Sequence, residues 1–232
     1  MHSTLELMEM QAKALFTYDE NSFIHEINDM YHAPAPRFFL GCTEEGNVIR
    51  FRFNLPEGII KSLKDLVTAE PRHDSLQIDT VLLKKIQGIL QEHQEIQKIH
   101  EGPAYKLPQP TSLPSGVVKI TADNAYLLKN SFDYMLTELP YWEPCFVKFV
   151  EGNAASICFS ARIADASHEA GVETLPRYRG NGYAAEVAAV WASAIYDMGR
   201  IPTYSTSWEN TASQTVARKL RCNLYGTNLS IY

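Results

Sequence analysis

The sequence predicts an α/β (α+β) protein, a mixed and mostly antiparallel sheet flanked by helices with an N-terminal α/β extension, and three observations carry that prediction. Two strand-like runs meet at the turn Glu151-Gly152-Asn153, and a hairpin forces antiparallel pairing. Later helical runs alternate with strand-like ones, and such crossovers cover the faces of a sheet. The composition, 45% hydrophobic and 21% charged over 232 residues, is that of a globular chain long enough to bury a core without a staple.

In chain order, Leu5 to Phe16 reads as a helix, and Phe38 to Cys42 and Val48 to Leu55 as strands around the polar turn Thr43 to Asn47. Pro56, favourable in a first turn, opens a helix toward Thr68. The run Asp79 to Ile99 spaces Leu82, Ile86, Ile89, Leu90, Ile96 and Ile99 as one amphipathic helix. Gly102, Pro103, Pro108, Pro110, Pro114 and Gly116 then crowd a stretch too rich in breakers for a helix or a central strand. That stretch divides the chain into residues 1–115, an α/β subdomain with an acceptor-side or structural role, and residues 116–232.

The second half is more regular. Val117 to Ile120 is a strand, and Ala122 to Glu138 a helix capped by Thr121 or Asp123 and stopped by Pro140. Strands Phe146 to Val150, Ala154 to Arg162 and Glu169 to Leu175 follow, then a helix from Gly182 to Met198. A strand at Thr203 to Ser207, a helix at Thr211 to Leu220 and a strand at Leu224 to Ile231 complete it.

Charge narrows the function. With 21 Lys and Arg against 27 acids the net charge is -6, and no basic block is visible, which disfavours nucleic acid and anionic membranes as partners. The first half holds 11 basic and 16 acidic residues, so a cationic small molecule suits it better than an acidic one. Cys42, Cys145, Cys158 and Cys222 are scattered, without a C-x-x-C pair or a Cys/His cluster, which predicts reduced thiols and no metal site. The first twenty residues lack a cationic region followed by an apolar one, and no run reaches the ~18 apolar residues of a membrane span, so a cytoplasmic protein is expected. It is expected to be a monomer or homodimer.

The informative segment is Glu169 to Ala189, EAGVETLPRYRGNGYAAEVAA. A strand runs into Pro176, then an Arg- and Gly-rich loop opens into an alanine-rich helix. Such a junction is an anion site, because unpaired N–H groups converge there and the helix dipole favours negative charge. Gly182 lets backbone approach a ligand, and Arg177 or Arg179 offers a charge-assisted bond to phosphate. The dinucleotide fingerprint G-x-G-x-x-G is excluded by Ala185, and no Gly-Lys-Ser/Thr follows.

These residues resemble the GNAT superfamily of N-acetyltransferases. The family's R/Q-x-x-G-x-G/A motif is matched from Arg179, Gly180, Asn181 and Gly182 into Tyr183 and Ala184, and its preceding strand and proline by Thr174-Leu175-Pro176. A second motif, Asn-x-x-Ala/Ser and a helix closing near Lys-Leu-Gly-Phe, is approximated by Asn210 to Ser213 and by Lys219-Leu220-Arg221-Cys222. YSTSWENTAS and EGPAY further resemble a two-part bacterial subgroup of such enzymes.

The resemblance covers about residues 117–232. It implies an acetyl-CoA-binding domain, an amine acceptor that attacks the thioester directly, and no metal. Pyrophosphate would rest on the N–H groups of Gly180 to Ala184, the pantetheine arm would pair with backbone at Val172 and Thr174, and Asn210 and Ser213 would border the cofactor.

Direct attack needs a base for the ammonium proton and an acid for the departing thiolate. Glu169 and Glu173 are the carboxylates of the entering strand; four residues apart, they share a side yet stand about 13 Å apart, so one of them touches the amine. Glu173, beside Thr174, is the preferred base. Many family members carry a tyrosine acid seven residues after the motif Asn, where this chain has Ala217, which leaves Tyr204, Ser207, Tyr225 or water. Ala217 also motivates an alternative, a non-catalytic acyl-CoA-binding sensor.

Other candidates read as structure. His93 and His100 lie two turns apart near the apolar stripe of Ile89 and Ile96 without a third ligand, Cys158 alternates within a core strand, and Trp142, Trp191 and Trp208 read as packing, although Trp208 closely precedes Asn210.

Overall fold

The computed structural model describes residues 2–69 and 76–232. By contacts the chain divides into a first unit, Met1–Ala104 with Ser205–Glu209 and Leu224–Tyr232, and a second, Tyr105–Tyr204 with Asn210–Asn223. The last strand falls in the first unit because it pairs Thr227 to Ile231 against Cys42 to Phe38.

The first unit starts with helix α1 (Thr4–Leu15), where Ser3 and Glu6 form a capping box that satisfies two N–H groups otherwise orphaned at a helix start. Strands β1 (Phe16–Tyr18) and β2 (Ile24–Ile27) pair antiparallel in a small sheet that the sequence pattern did not reveal. Strands β3 (Phe38–Thr43) and β4 (Gly46–Phe51) make the expected hairpin, and α2 (Glu57–Ala69) and α3 (Thr80–His93) the expected helices. Their apolar faces meet: Leu63, Val67, Ile86 and Leu90 pack with Phe38, Leu40, Leu229 and Ile231 in one core cluster.

Two expectations fail at the end of α3. The helix stops at His93 with Gln94 as C-cap, not at Ile99, so His93 and His100 do not share a helix. The breaker-rich segment contains a strand after all, β5 (Ile99–Lys106), which includes Gly102 and Pro103. A Cβ on Gly102 would lie 1.8 Å from the Thr206 carbonyl oxygen, so only glycine lets these backbones approach, and Pro103 takes part through its carbonyl, which accepts from Thr206 N–H. The first unit's large-sheet strands run in the order β4-β3, the last strand β11 (Asn223–Ile231), then β5.

The second unit opens with β6 (Val117–Ile120). The single helix expected over Ala122 to Glu138 is instead a 3-10 segment at Ala122–Leu128, the one-turn α4 (Met135–Glu138), and a 3-10 turn at Leu139–Tyr141. Polar side chains here compete for the backbone: Asn124 Oδ1 accepts from Thr121 N–H and Asp133 Oδ1 from Asn130 N–H, with Asn130 at a left-handed φ of 66°. Strands β7 (Cys145–Val150), β8 (Asn153–Ile163) and β9 (Ser167–Thr174) follow. Helix α5 (Tyr183–Asp197), strand β10 (Ile201–Ser205) and helix α6 (Thr211–Lys219) complete the unit.

Its strand order is β10-β9-β8-β7-β6. β6, β7, β8 and β9 pair antiparallel, while β10 runs parallel to β9, as a crossover through α5 requires. The mixed, mostly antiparallel sheet flanked by helices is thus observed. Val187, Ala188, Trp191, Ala192 and Ile195 of α5 pack on Phe146, Cys158 and Ala170 of the sheet and on Ala217 of α6.

Candidate functional site

β9 and β10 pair only at Ile201↔Ser167, Pro202↔His168 and Thr203↔Glu169. Beyond Glu169 they part, and from Ala170 to Thr174 the strand β9 has β8 as its only strand partner among the described residues. A strand edge left open in this way presents unpaired backbone groups to whatever enters the gap. A cavity of about 490 Å³ occupies it, lined by residues of β9, the loop into α5, Tyr204 of β10 and one face of α6.

The loop leaves a run of backbone donors open. After the 3-10 turn Pro176–Tyr178, Gly180 and Gly182 adopt φ of 84° and 88°, and Gly182 caps α5. The N–H groups of Gly180 to Ala184 have no hydrogen-bond partner among the described residues. Arg179 Nε donates to the Thr174 carbonyl at 3.2 Å, folding the loop back onto the strand, and Asn181 Nδ2 donates to the carbonyls of Tyr178 and Arg179. Gly182 therefore serves the loop by its left-handed backbone: a Cβ there would meet only Lys219 Nζ, at 3.9 Å. The left-handed φ is thus a requirement for glycine in its own right, beside the approach to a ligand expected from the sequence.

Helix α6 begins at Asn210, whose Oδ1 accepts from Ser213 N–H at 3.0 Å. Ala212, Thr215, Val216 and Lys219 line the cavity at helical spacing, and Ala217 turns away into the core. Tyr204 fills part of that same core cluster, and its hydroxyl bonds the side chain of Ser213. Burial pushes this phenol up to about 12, so it keeps its proton at neutral pH.

The two glutamates have different surroundings. Glu169 is 5% exposed and does not line the cavity, whereas Glu173 is exposed, lines it, and accepts a 2.6 Å hydrogen bond from the Tyr134 hydroxyl at Oε2. Glu169 therefore sits in the interior, away from the cavity wall that carries Glu173.

Of the residues anticipated from sequence, the cavity gathers Val172, Glu173, Thr174, Arg179, Gly180, Gly182, Tyr183, Ala184, Tyr204, Asn210 and Ser213. Asn181 braces the loop from outside it. Tyr225 donates to Gln11, and Ser207 and Trp208 lie in the first unit, where Trp208 N–H bonds the Glu101 carbonyl. Cys158 is buried and its thiol held far above its ordinary range by burial, an inert core residue as expected. No group of three metal-ligating side chains exists among the described residues. Sequence reading missed Tyr178, Lys219 and Tyr134; for Lys219 the signal was its place on the Ala212-Thr215-Val216 stripe.

Residues 146–224 match the family model described as GNAT acetyltransferase, which bears out the resemblance over that stretch. Among curated proteins, none matches the chain. Among solved structures it is similar to a GCN5-related N-acetyltransferase from Kribbella flavida, 19% identical with a TM-score of 0.43 over 62% of this chain and 62% of that one. A GCN5-related N-acetyltransferase-like protein from Streptococcus suis is 14% identical, TM-score 0.47, over 99% and 100%. An acetyltransferase of the GNAT family from Colwellia psychrerythraea is 11% identical, TM-score 0.47, over 100% and 98%. The chain spans less than two thirds of the length of the Kribbella structure.

Proposed function

We propose that this chain, which carries a GNAT acetyltransferase segment at residues 146–224, transfers an acetyl group from acetyl-CoA to a primary amine by direct attack in a ternary complex. The observation that carries the reading is the run of five partnerless N–H groups, Gly180 to Ala184, beside the open edge of β9. Five donors at a helix start fit a pyrophosphate, with Arg179 and Lys219 as the cations on the same cavity wall. The open edge fits the amides of a pantetheine arm at Val172 and Thr174.

In the reaction, the amine nitrogen forms the new C–N bond, the C–S bond breaks, and coenzyme A leaves as the thiol. Glu173 takes the ammonium proton, a role supported by its exposed carboxylate on the cavity wall. Tyr204 gives its proton to the departing sulfur and regains one from solvent. It supplies from β10 the phenol that Ala217 denies to α6.

Melting with acetyl-CoA tests the cofactor half of the reading, because ligand at 100 times its dissociation constant adds about 2.7 kcal/mol. Thiol release across an amine panel, read in the cytoplasmic pH range, tests transfer. No stabilisation at millimolar acetyl-CoA overturns the reading. Stabilisation with amine-independent hydrolysis alone favours the acyl-CoA sensor that Ala217 motivates.

A further inference from the structure

Glu173 lies on an exposed strand end, where a carboxylate ordinarily samples several rotamers and a base would lose most of its encounters. Here it does not swing freely, because the Tyr134 hydroxyl donates to its Oε2 at 2.6 Å across 39 residues of chain. Tyr134 is itself held: its ring meets Trp142 edge-on with centroids 5.9 Å apart, and Trp142 stacks on Phe159 of β8 at 4.8 Å. The relay from the sheet to the carboxylate is therefore Phe159, Trp142, Tyr134, Glu173. Glu173 Oε1 has no hydrogen-bond partner among the described residues and is the oxygen left for an incoming amine.

We propose that Tyr134 is the positioning residue of the base, holding Glu173 through Oε2 so that Oε1 faces the acceptor. This rests on the acetyltransferase reading above. The segment around Tyr134 also exposes Tyr126, Leu136 and Tyr141 and carries Asp123, Asp133 and Glu138 against the single cation Lys129, so an acceptor beside Tyr134 is best an amine borne on an apolar or aromatic body.

The hydroxyl is a dependable donor. Burial first, then the Glu173 hydrogen bond and charge, then Cys145 and Glu138, push the Tyr134 phenol far above its ordinary value, so it never ionises in the assay range. The charged and titratable groups that act on Tyr134 besides Glu173 are Glu138 of α4 and Cys145 of β7, and burial keeps Cys145 a thiol, at about 12.

Tyr134→Phe removes the hydroxyl and keeps the ring against Trp142. The variant loses the donor that holds Glu173 Oε2 while the carboxylate itself and the ring packing remain, so it separates the positioning of the base from its presence. With propylamine and phenethylamine as acceptors kcat should fall about tenfold, the acetyl-CoA dissociation constant should hold, and in a Glu173→Gln background Tyr134→Phe should cost nothing further. An unchanged kcat in Tyr134→Phe, or losses that add in the double variant, overturns the assignment even with acetyl-CoA binding intact. Absence of any stabilisation by acetyl-CoA overturns the acetyltransferase reading first, and the positioning role with it.

Discussion

Tyr204 on β10 and Ser213 on α6 are joined side chain to side chain, which ties the strand that splays from β9 to the helix that closes the cavity. Tyr204→Phe keeps the ring in the core cluster and deletes one hydrogen bond, a stability loss of about 1 kcal/mol. Turnover should fall about 10²-fold while acetyl-CoA still raises the melting temperature. Because burial holds the phenol at about 12, its deprotonation should not limit the rate below that pH. Steady-state kinetics beside a melting curve check this; full activity in the phenylalanine variant would mean that water protonates the thiolate.

The carboxylates separate in a parallel experiment. Glu173→Gln should retain acetyl-CoA binding and lose about 10²-fold in turnover near neutral pH, since shape is kept and the base removed. Glu169→Gln alters a buried side chain, so its signature should be a stability loss of about 1–3 kcal/mol with kcat near wild type. If Glu169→Gln proves inactive and Glu173→Gln does not, the base assignment is reversed; if both stay active, neither is catalytic.

For the loop, Lys219→Ala and Gly182→Ala should fail in different ways. Lys219 is exposed on the cavity wall, so its loss should leave melting of the free protein unchanged and weaken acetyl-CoA about tenfold, the scale of one charge-assisted bond. Gly182→Ala places a side chain at φ 88°, which strains the backbone by about 1–2 kcal/mol, so melting and affinity should fall together. Titration calorimetry with acetyl-CoA reads both. An affinity unchanged by Lys219→Ala removes that lysine from the phosphate site.

What was legible in the sequence was what local pattern encodes. The strand, glycine loop and helix from Glu169 onward carry their chemistry within twenty residues, and Asn210 to Ser213 is a cap that any helix would use. Strand β5 was hidden because Gly102 and Pro103 are breakers by propensity, and only the approach of the Thr206 backbone makes that pair an advantage. The helix expected over Ala122 to Glu138 fails because Asn124, Asn130 and Asp133 bond locally, a competition that apolar periodicity does not register. Tyr134 was invisible for another reason: its meaning is a contact with a residue 39 positions away, set by how the loop meets the sheet.

A final prediction concerns acid. His168 is 2% exposed; its Nδ1 faces Ser160 Oγ at 2.8 Å, and Arg200 Nη1 donates to its Nε2 at 2.6 Å. Trp191 Nε1 also donates to Ser160 Oγ, and Thr203 donates to the His168 carbonyl, so β8, α5 and β10 are tied together around this residue. A guanidinium donating to Nε2 requires that nitrogen to be bare, which fixes the proton on Nδ1 and opposes a second one. Burial first, then the Arg200 charge, lower the imidazole from 6.5 to about 4. The sign follows: the folded state prefers the neutral ring, so the stabilisation is fully present above 6.5 and is lost as pH falls through about 4. Each unit of difference is ~1.4 kcal/mol, so the loss approaches roughly 3 kcal/mol. His168→Gln should be less stable than the parent at pH 7.5, and the gap should shrink by that amount toward pH 4, where the parent but not the variant takes up the proton. Urea midpoints at half-unit pH steps measure it, and a gap that stays constant with pH would show that His168 does not titrate with folding.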